Sequence, residues 1–443
     1  MILGASGNDT PMEFDALVIG GGIAGIEAAL TLGDAGFKVL LVEKSPSVGG
    51  YMALLSKVFP TLDCASCIAT PKMAAVNYHP NITLYTYSEV QEIIKNDDGS
   101  FTISVLKKPR YVDVSACTGC GDCERACPVI VPDEYQFNLR GRKAAYIAFD
   151  IAVPKKAVID IDNCILCGAC ERACPAYAID FTQEPEIVKA KVYSVIIATG
   201  FKLFPAELKP IWGFGKIKNV ITAMQMDRIL APTGPYGGVL RPSDGMEPMK
   251  IAYILCVGSR DLKVDNPNCS QICCMYSIKQ AQLILGAVPL ADVTIFYIDI
   301  RAFGKGFEEF YQQAKDMGVF FIKGRAISIE ELEDGSVKVR YEDMDDNSKI
   351  KEDTFDLVVL SVGILPNTEI TKAFKNVKLE LDPFKWINQP NVNSNPAETN
   401  IPGVFVAGTA SGPKDIPDSI VSAAAAASQA MAYISQIKSK GGA

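Results

Sequence analysis

Eight cysteines fall into two copies of one pattern: Cys117, Cys120, Cys123 and Cys127-Pro128, then Cys164, Cys167, Cys170 and Cys174-Pro175. Each copy reads C-x2-C-x2-C-x3-C-P, the run with which bacterial ferredoxins hold two [4Fe-4S] clusters, the fourth cysteine of each run crossing to the other cluster. The spacing predicts one cluster on Cys117, Cys120, Cys123 and Cys174, and a second on Cys164, Cys167, Cys170 and Cys127. Structural zinc is the alternative, but zinc asks for two spaced cysteine pairs rather than four close thiols ending in Cys-Pro. A chain so equipped moves electrons.

Six cysteines remain. Cys256, Cys269, Cys273 and Cys274 lie within 19 residues. Four thiols suffice for a cubane, yet C-x12-C-x3-C-C follows no general ferredoxin rule, and buried free cysteines acting as small hydrophobes are the competing reading. Cys64 and Cys67 stand before Pro71-Lys72. They fit half of a cluster site completed by another chain, a pair of structural thiols, or a redox-active dithiol beside a flavin. The dithiol reading also asks for a histidine acid catalyst. The single histidine, His79, precedes Pro80 in what reads as a turn, which suits a structural role.

These thiols need a frame. Phe14 to Ile19 reads as a buried strand, followed by Gly20-Gly21-Gly22-Ile23-Ala24-Gly25 and an alanine- and leucine-bearing helix to Gly33. That is GxGxxG in its strand–turn–helix context. Gly20 permits the tight turn, Gly22 lets backbone approach a pyrophosphate, and Gly25 lets helix pack on strand. A second strand, Lys38 to Val42, ends at Glu43-Lys44, where a carboxylate can take both ribose hydroxyls. Gly49-Gly50, Thr199-Gly200 after the strand Val195 to Ala198, and Gly403 to Gly408 resemble the marks of two-dinucleotide-binding-domain flavoproteins. The resemblance implies FAD. Thr409 stands where that family usually places the acid that binds the ribityl chain. Lys414, Asp415 and Ile416 then open a helix to about Ser435, whose N-terminus would face the flavin.

The ferredoxin cysteines interrupt this frame between strand-like Thr102 to Leu106 and Val188 to Thr199. The predicted fold is therefore an α/β two-dinucleotide-binding-domain flavoprotein, like thioredoxin and glutathione reductases, with an inserted α+β ferredoxin module. We read FAD-domain segments at 12–108, 184–248 and 355–443, the insert at 109–183, and a second α/β lobe carrying a cysteine set at 249–354. In that lobe Cys256-Val257-Gly258-Ser259-Arg260 offers one glycine where a dinucleotide turn needs three, which disfavours NAD(P)H.

Composition sets outer limits. The 443 residues are 49% hydrophobic and 21% charged, as expected of a well-cored globular chain. A net charge of -8 argues against a nucleic-acid partner. Met1 to Pro11 has no leader pattern, and the alanine-dominated run Val421 to Ile434 is too short and weakly apolar to span a bilayer, so a reducing cytoplasm without direct membrane insertion is expected. Any membrane association would come through other subunits.

The assembled residues resemble the heterodisulfide reductase A family and its relatives from about Phe14 to Ile434. The likeness includes Phe59 to Cys67, Lys108-Pro109-Arg110-Tyr111-Val112, Cys256 to Arg260, Cys273-Cys274 and Gly412 to Ile416. It implies a third [4Fe-4S] cluster on the Cys256, Cys269, Cys273 and Cys274 set. It also places Lys279 near the flavin N5, where a lysine could stabilise a flavin anion; the plainer role is a helix-surface charge. Where the family often has Glu-Phe-Glu-Arg, this chain has Gln225-Met226-Asp227-Arg228. The chain begins almost at the flavin strand and stops after the last flavin helix, which resembles the short flavin-bearing component of the quinone-interacting membrane-bound oxidoreductase. This implies a complex linking menaquinone to adenylylsulfate reductase in sulfate respiration. The alternatives are a flavin-based bifurcating heterodisulfide reductase module, with ferredoxin and disulfide acceptors, and an NAD(P)H-dependent disulfide reductase.

Overall fold

The computed structural model describes residues 12–441, so the Met1 to Pro11 reading lies outside the described residues. Among these residues eight helices order the chain: α1 (Ile23–Asp34), α2 (Ala65–Tyr78), α3 (Asp122–Ala126), α4 (Ala169–Ala173), α5 (Ala223–Leu230), α6 (Cys273–Ala287), α7 (Phe307–Asp316) and α8 (Ile416–Gly441).

The flavin frame is a five-stranded parallel sheet in the order Val404–Val406, Ser194–Ile197, Ala16–Ile19, Val39–Glu43, Ile82–Thr86. Four of its strands, Ala16–Ile19, Val39–Glu43, Ser194–Ile197 and Val404–Val406, are buried along their whole length. Such two-sided burial explains why they read as continuous apolar runs rather than alternating ones. On one face α8 packs along α1. Its buried stripe is Ala423, Ala426, Ala427 and Ala430, residues small enough to bring helix close to helix. The expected terminal helix is therefore present, and it runs beyond Ser435 to Gly441.

A second sheet fastens the insert. Phe101–Lys107 pairs antiparallel with Glu186–Val192 through seven residue pairs, and Ser88–Lys95 and Met12–Glu13 complete the sheet. The continuous strand-like run Val188 to Thr199 is thus two strands in two sheets, breaking at Tyr193. Between Lys107 and Glu186 lies the ferredoxin module with its short α3 and α4. Gly121 and Gly168, at φ +80° and +68°, start these helices in the left-handed region that favours glycine.

The second lobe is a seven-stranded sheet: Val220–Thr222, Leu357–Val362, Lys250–Val257, Asp292–Tyr297, Phe320–Glu331, Val337–Asp343, Lys349–Phe355. The sheet recruits Val220–Thr222 and Leu357–Val362 from outside 249–354. The lobe is accordingly wider than the sequence boundaries. Val220–Thr222 is the parallel edge and Leu357–Val362 lies between it and Lys250–Val257; which sheet such short strands join depends on long-range pairing rather than local pattern. No helix among the described residues is long and apolar enough to cross a membrane.

Candidate flavin and cluster sites

Ile19 delivers the chain to the turn Gly20–Gly22 at the carboxyl edge of the parallel sheet, where open α/β sheets bind ligands. Gly20 sits at φ +105° with its Cα face against the Ala198 carbonyl, and a Cβ on Gly25 would collide with the Gly20 carbonyl oxygen. These two glycines are required by the protein's own packing. Gly22 differs: a Cβ there would meet nothing within 4 Å. That free approach over the α1 N-terminus is the cradle a pyrophosphate needs. The Gly49 N–H donates to the Gly21 carbonyl at 2.7 Å, and Gly49 and Gly50, at φ +120° and +55°, close the loop over it.

Glu43 is buried at the same edge. Its carboxylate accepts from the Gly21 N–H at 2.6 Å and the Ser45 N–H at 2.7 Å, which leaves lone pairs for two ribose hydroxyls. Lys44 turns outward and reaches Glu369 at 3.9 Å. Opposite, a Cβ on Gly200 would lie 4.0 Å from the Thr409 hydroxyl, so the ends of the two glycine-ended strands lie close together. Asn367, which sequence reasoning missed, donates to the Thr199 carbonyl at 3.1 Å. The Thr199 hydroxyl and the Asn367 carbonyl oxygen are buried without a partner in the protein. Orphaned polar atoms beside an open glycine cradle fit a polar, extended cofactor chain. Lys414 donates to the Ser411 hydroxyl at 2.8 Å, and burial lowers its pKa. Asp415 accepts from the Asp418 N–H at 2.8 Å at the start of α8. The residues present fit FAD.

Among the described residues, no three His, Cys, Asp or Glu side chains converge tightly enough to chelate a single metal ion. The insert's cysteines surround space instead. One cavity is walled by Cys117, Cys120, Cys123 and the crossing Cys174, with Val112, Ala157 and Ile179 completing an apolar shell. This is the grouping the spacing rule demands. Cys164 and Cys127 lie within electrostatic reach of Cys170, in line with the second set, and burial raises the Cys170 pKa. The helices carry matching arginines: Arg125 and Arg172 each donate to the carbonyl of the second cysteine of its run, both at 3.3 Å.

The third set also gathers. A register shift between Ile254 and Val257 and a left-handed Cys256, at φ +61°, turn that thiol off its strand. Cys273 and Cys274 open α6. The intervening loop is pinned by a 2.5 Å contact between the Ser259 and Ser270 hydroxyls, and by Asn266 donating to the Gly258 carbonyl at 2.6 Å. A hydrogen bond from Cys273, with Arg260 nearby, overcomes burial and draws Cys256 down to about 7. Cys274 is lowered by the same donor, and Cys273, as donor to both and wholly buried, is raised. The set shares protons as coupled thiols do, and would release them on cluster binding.

At the glycine-poor turn after Lys250–Val257, the Phe204 ring fills the place of a Gly258 side chain, and Ser259 fills that of Gly363. The free approach found at Gly22 is thus closed off at this turn.

Cys64 and Cys67 sit at the start of α2 as a disulfide, with Cα atoms 5.2 Å apart. Cys64 also caps the helix, accepting from the Cys67 N–H at 3.2 Å. His79 ends the same helix, holding the Asn81 N–H at 3.1 Å and facing Asp34 at 3.2 Å, as a structural residue would.

Lys279 is not a surface charge. It lies 1% exposed and pairs with Asp227 at 2.7 Å, donating also to the Lys57 carbonyl at 2.9 Å. Asp227 further accepts from the Ser56 N–H and hydroxyl at 2.8 and 2.6 Å and from Gln280 at 2.7 Å. Arg228 donates to the Leu54 carbonyl at 2.6 Å and to Gln136 of the insert at 3.0 Å. The departure at 225–228 is thus a buried knot joining the 54–64 hairpin, the insert, α5 and α6. Its partners are separated by up to 174 residues, so no local signal announces it.

Three family models match parts of the chain. The model for FAD dependent oxidoreductases matches residues 15–63, that for the 4Fe-4S dicluster domain 116–178, and that for pyridine nucleotide-disulphide oxidoreductases 273–430. The thioredoxin reductases of Lactococcus lactis and T. acidophilum each superpose with a TM-score of 0.53, at 15% and 17% identity, over 96% of this chain and 99% of theirs, a likeness of fold. The second iron-sulfur A component of CoB–CoM heterodisulfide reductase in Methanopyrus kandleri is 49% identical over 94% of this chain and 63% of its own length. The corresponding protein of Methanocaldococcus jannaschii is 48% identical over 94% and 64%. The A component of the H(2):CoB-CoM heterodisulfide,ferredoxin reductase of Methanothermobacter thermautotrophicus is 45% identical over 94% and 63%. The chain therefore spans just under two-thirds of the length of these relatives.

Proposed function

From its homology to the heterodisulfide reductase A family along nearly its whole length, we propose that this chain is the flavin- and cluster-bearing electron-transfer subunit of a heterodisulfide-reductase-type complex. It is an oxidoreductase subunit using FAD and [4Fe-4S] clusters. The observation that carries the reading is the combination, in one chain, of an open flavin cradle and a cavity walled by four cysteines of the insert. FAD, when bound, exchanges electrons in pairs or singly, and the clusters one at a time.

The protein's work is placement. Gly20 to Gly25 and Glu43 would hold the adenosine and pyrophosphate end of FAD, and the positive N-terminus of α8, opened by Lys414 to Ile416, would favour negative charge on a flavin bound beside it. The knot of Asp227, Arg228 and Lys279 fixes α6, and with it Cys273 and Cys274, against the flavin frame. The crossing cysteines Cys127 and Cys174 tie the two cluster sets of the insert into one unit.

A bifurcating assignment, with electrons leaving toward a heterodisulfide and toward ferredoxin, is supported by relatives named for both. We place it ahead of the link from menaquinone to adenylylsulfate reductase. The named relatives are heterodisulfide reductases, and the quinone-linked reading leaned on where the chain begins and ends. The test is anoxic purification from the native cell, with co-purifying chains identified and ferredoxin reduction assayed with and without a heterodisulfide acceptor. Cysteine-rich partners and heterodisulfide-dependent ferredoxin reduction are expected; a haem-bearing membrane partner and no such coupling would restore the quinone-linked reading.

A further inference from the structure

Arg110 is the residue that the sites described so far leave unused. It lies on the strand-like lead into the insert and is 6% exposed, yet among the described residues no carboxylate lies within ion-pairing distance of it. One terminal nitrogen donates to the Pro46 carbonyl at 2.8 Å and the Thr86 hydroxyl at 2.6 Å, both in the flavin frame. The other terminal nitrogen is buried with no hydrogen-bond partner. Desolvation lowers its pKa only to about 10, so it stays a cation at neutral pH, and its titratable neighbours are Tyr146, Tyr87, Tyr135 and Cys117, the phenols uncharged at that pH.

A buried cation without a counter-anion is costly, and proteins keep one where an anion arrives. Arg110 is two residues from Val112, which walls the cavity of Cys117, Cys120, Cys123 and Cys174. Four thiolates around a [4Fe-4S] core leave net negative charge there, and reduction adds one more electron. The first run has a second cation against it: Lys156 donates to the Cys117 carbonyl. Lys156 lies on a strap that returns to the flavin frame, where the Val48 N–H donates to the Val153 carbonyl at 3.0 Å. In the second run Ile165 and Leu166, between Cys164 and Cys167, are 65% and 66% exposed.

We propose that Arg110 is a positioning and tuning residue whose buried charge is neutralised by the cluster of the first run, raising that cluster's reduction potential above that of its neighbour and fixing it as the flavin-side station of the insert. A nearby positive charge stabilises the more negative, reduced cluster, so its removal lowers the potential. The inference rests on the cluster assignment given above, and iron and sulfide content separates failure of one from failure of the other.

The test is potentiometric EPR on the whole protein for R110Q, which keeps amide donors for Pro46 and Thr86 but drops the charge, and for R110K, which keeps the charge. C120A, which removes a ligand of the first set, assigns the signals. With iron, sulfide and FAD contents unchanged, R110Q should shift one insert cluster to lower potential, the one altered by C120A, and R110K should leave it near the parent value. Equal behaviour of R110Q and R110K, a shift of both clusters together, or loss of FAD with no change in potential would overturn the proposal. If R110Q fails to fold, K156M supplies the same reading from the second cation: a shift confined to the first cluster supports electrostatic tuning on this side, and no shift overturns it.

Discussion

Asp227 and Lys279 show how far a single buried pair can reach. Burial works to raise the Asp227 pKa, but Lys279, by charge and hydrogen bond, and Ser56 more than offset it and hold the carboxyl below its ordinary value. A depressed folded value means the pair's stabilisation is fully present above the unfolded pKa of about 3.9 and is lost as pH falls through the folded value. D227N should cost about 3–5 kcal/mol, since it strands a buried ammonium. The D227L/K279M double variant should lose much less than the sum of the singles, as expected of groups in direct contact. Denaturant midpoints followed from pH 7 to below the unfolded value of about 3.9 check both statements: any advantage of the parent over the double variant should hold above that value and begin to shrink below it. Neither residue's partnership could be read from the chain. Lys279 is 52 residues from Asp227, and an exposed helical lysine has the same local signature as this buried one.

At the scale of elements, what was legible is what is encoded locally. The strand, glycine turn, helix and terminal Glu43 follow one another within 30 residues, and each is dictated by a nearest-neighbour constraint: buried apolar runs, left-handed turns, close packing. Gly22 and Gly25 separate the two kinds of constraint. G25A drives a methyl into the Gly20 carbonyl and should both destabilise the protein, by about 1–3 kcal/mol, and abolish FAD binding. G22A meets no protein atom, so it should fold with a near-parent thermal midpoint while losing FAD, because its methyl occupies the pyrophosphate approach. Flavin content and apo-protein thermal denaturation, measured side by side, decide this. The strands Val220–Thr222 and Leu357–Val362 are harder to place. Three to six apolar residues declare a buried strand but not which sheet will pair with it, and the second lobe claimed both. The bulge that turns Cys256 toward Cys273 and Cys274 was equally silent, as sequence spacing carries no register.

Taken as a whole molecule, the insert is a closed electrical unit attached at several points. Because Cys174 walls the cavity of the first run, C174A and C120A should produce the same altered EPR signal, and C167A a different one. Matching signals for C174A and C167A would mean each run keeps its own fourth cysteine. The module leaves from Lys107 and returns at Glu186, and these residues are paired across antiparallel strands and joined by a 2.7 Å salt bridge. Replacing 108–185 with a two-residue turn should therefore yield a folded flavoprotein that has lost the insert's iron, though weakened where Arg228 and Ser47 lose partners in the excised segment. Iron and flavin analysis of that shortened chain would test it. The whole ferredoxin module thus occupies the position of a hairpin bend. A single recombination between two adjacent strand ends is enough to install or remove it, so an ancestral flavoprotein could have acquired its wiring in one genetic step without moving any residue of its flavin sheet.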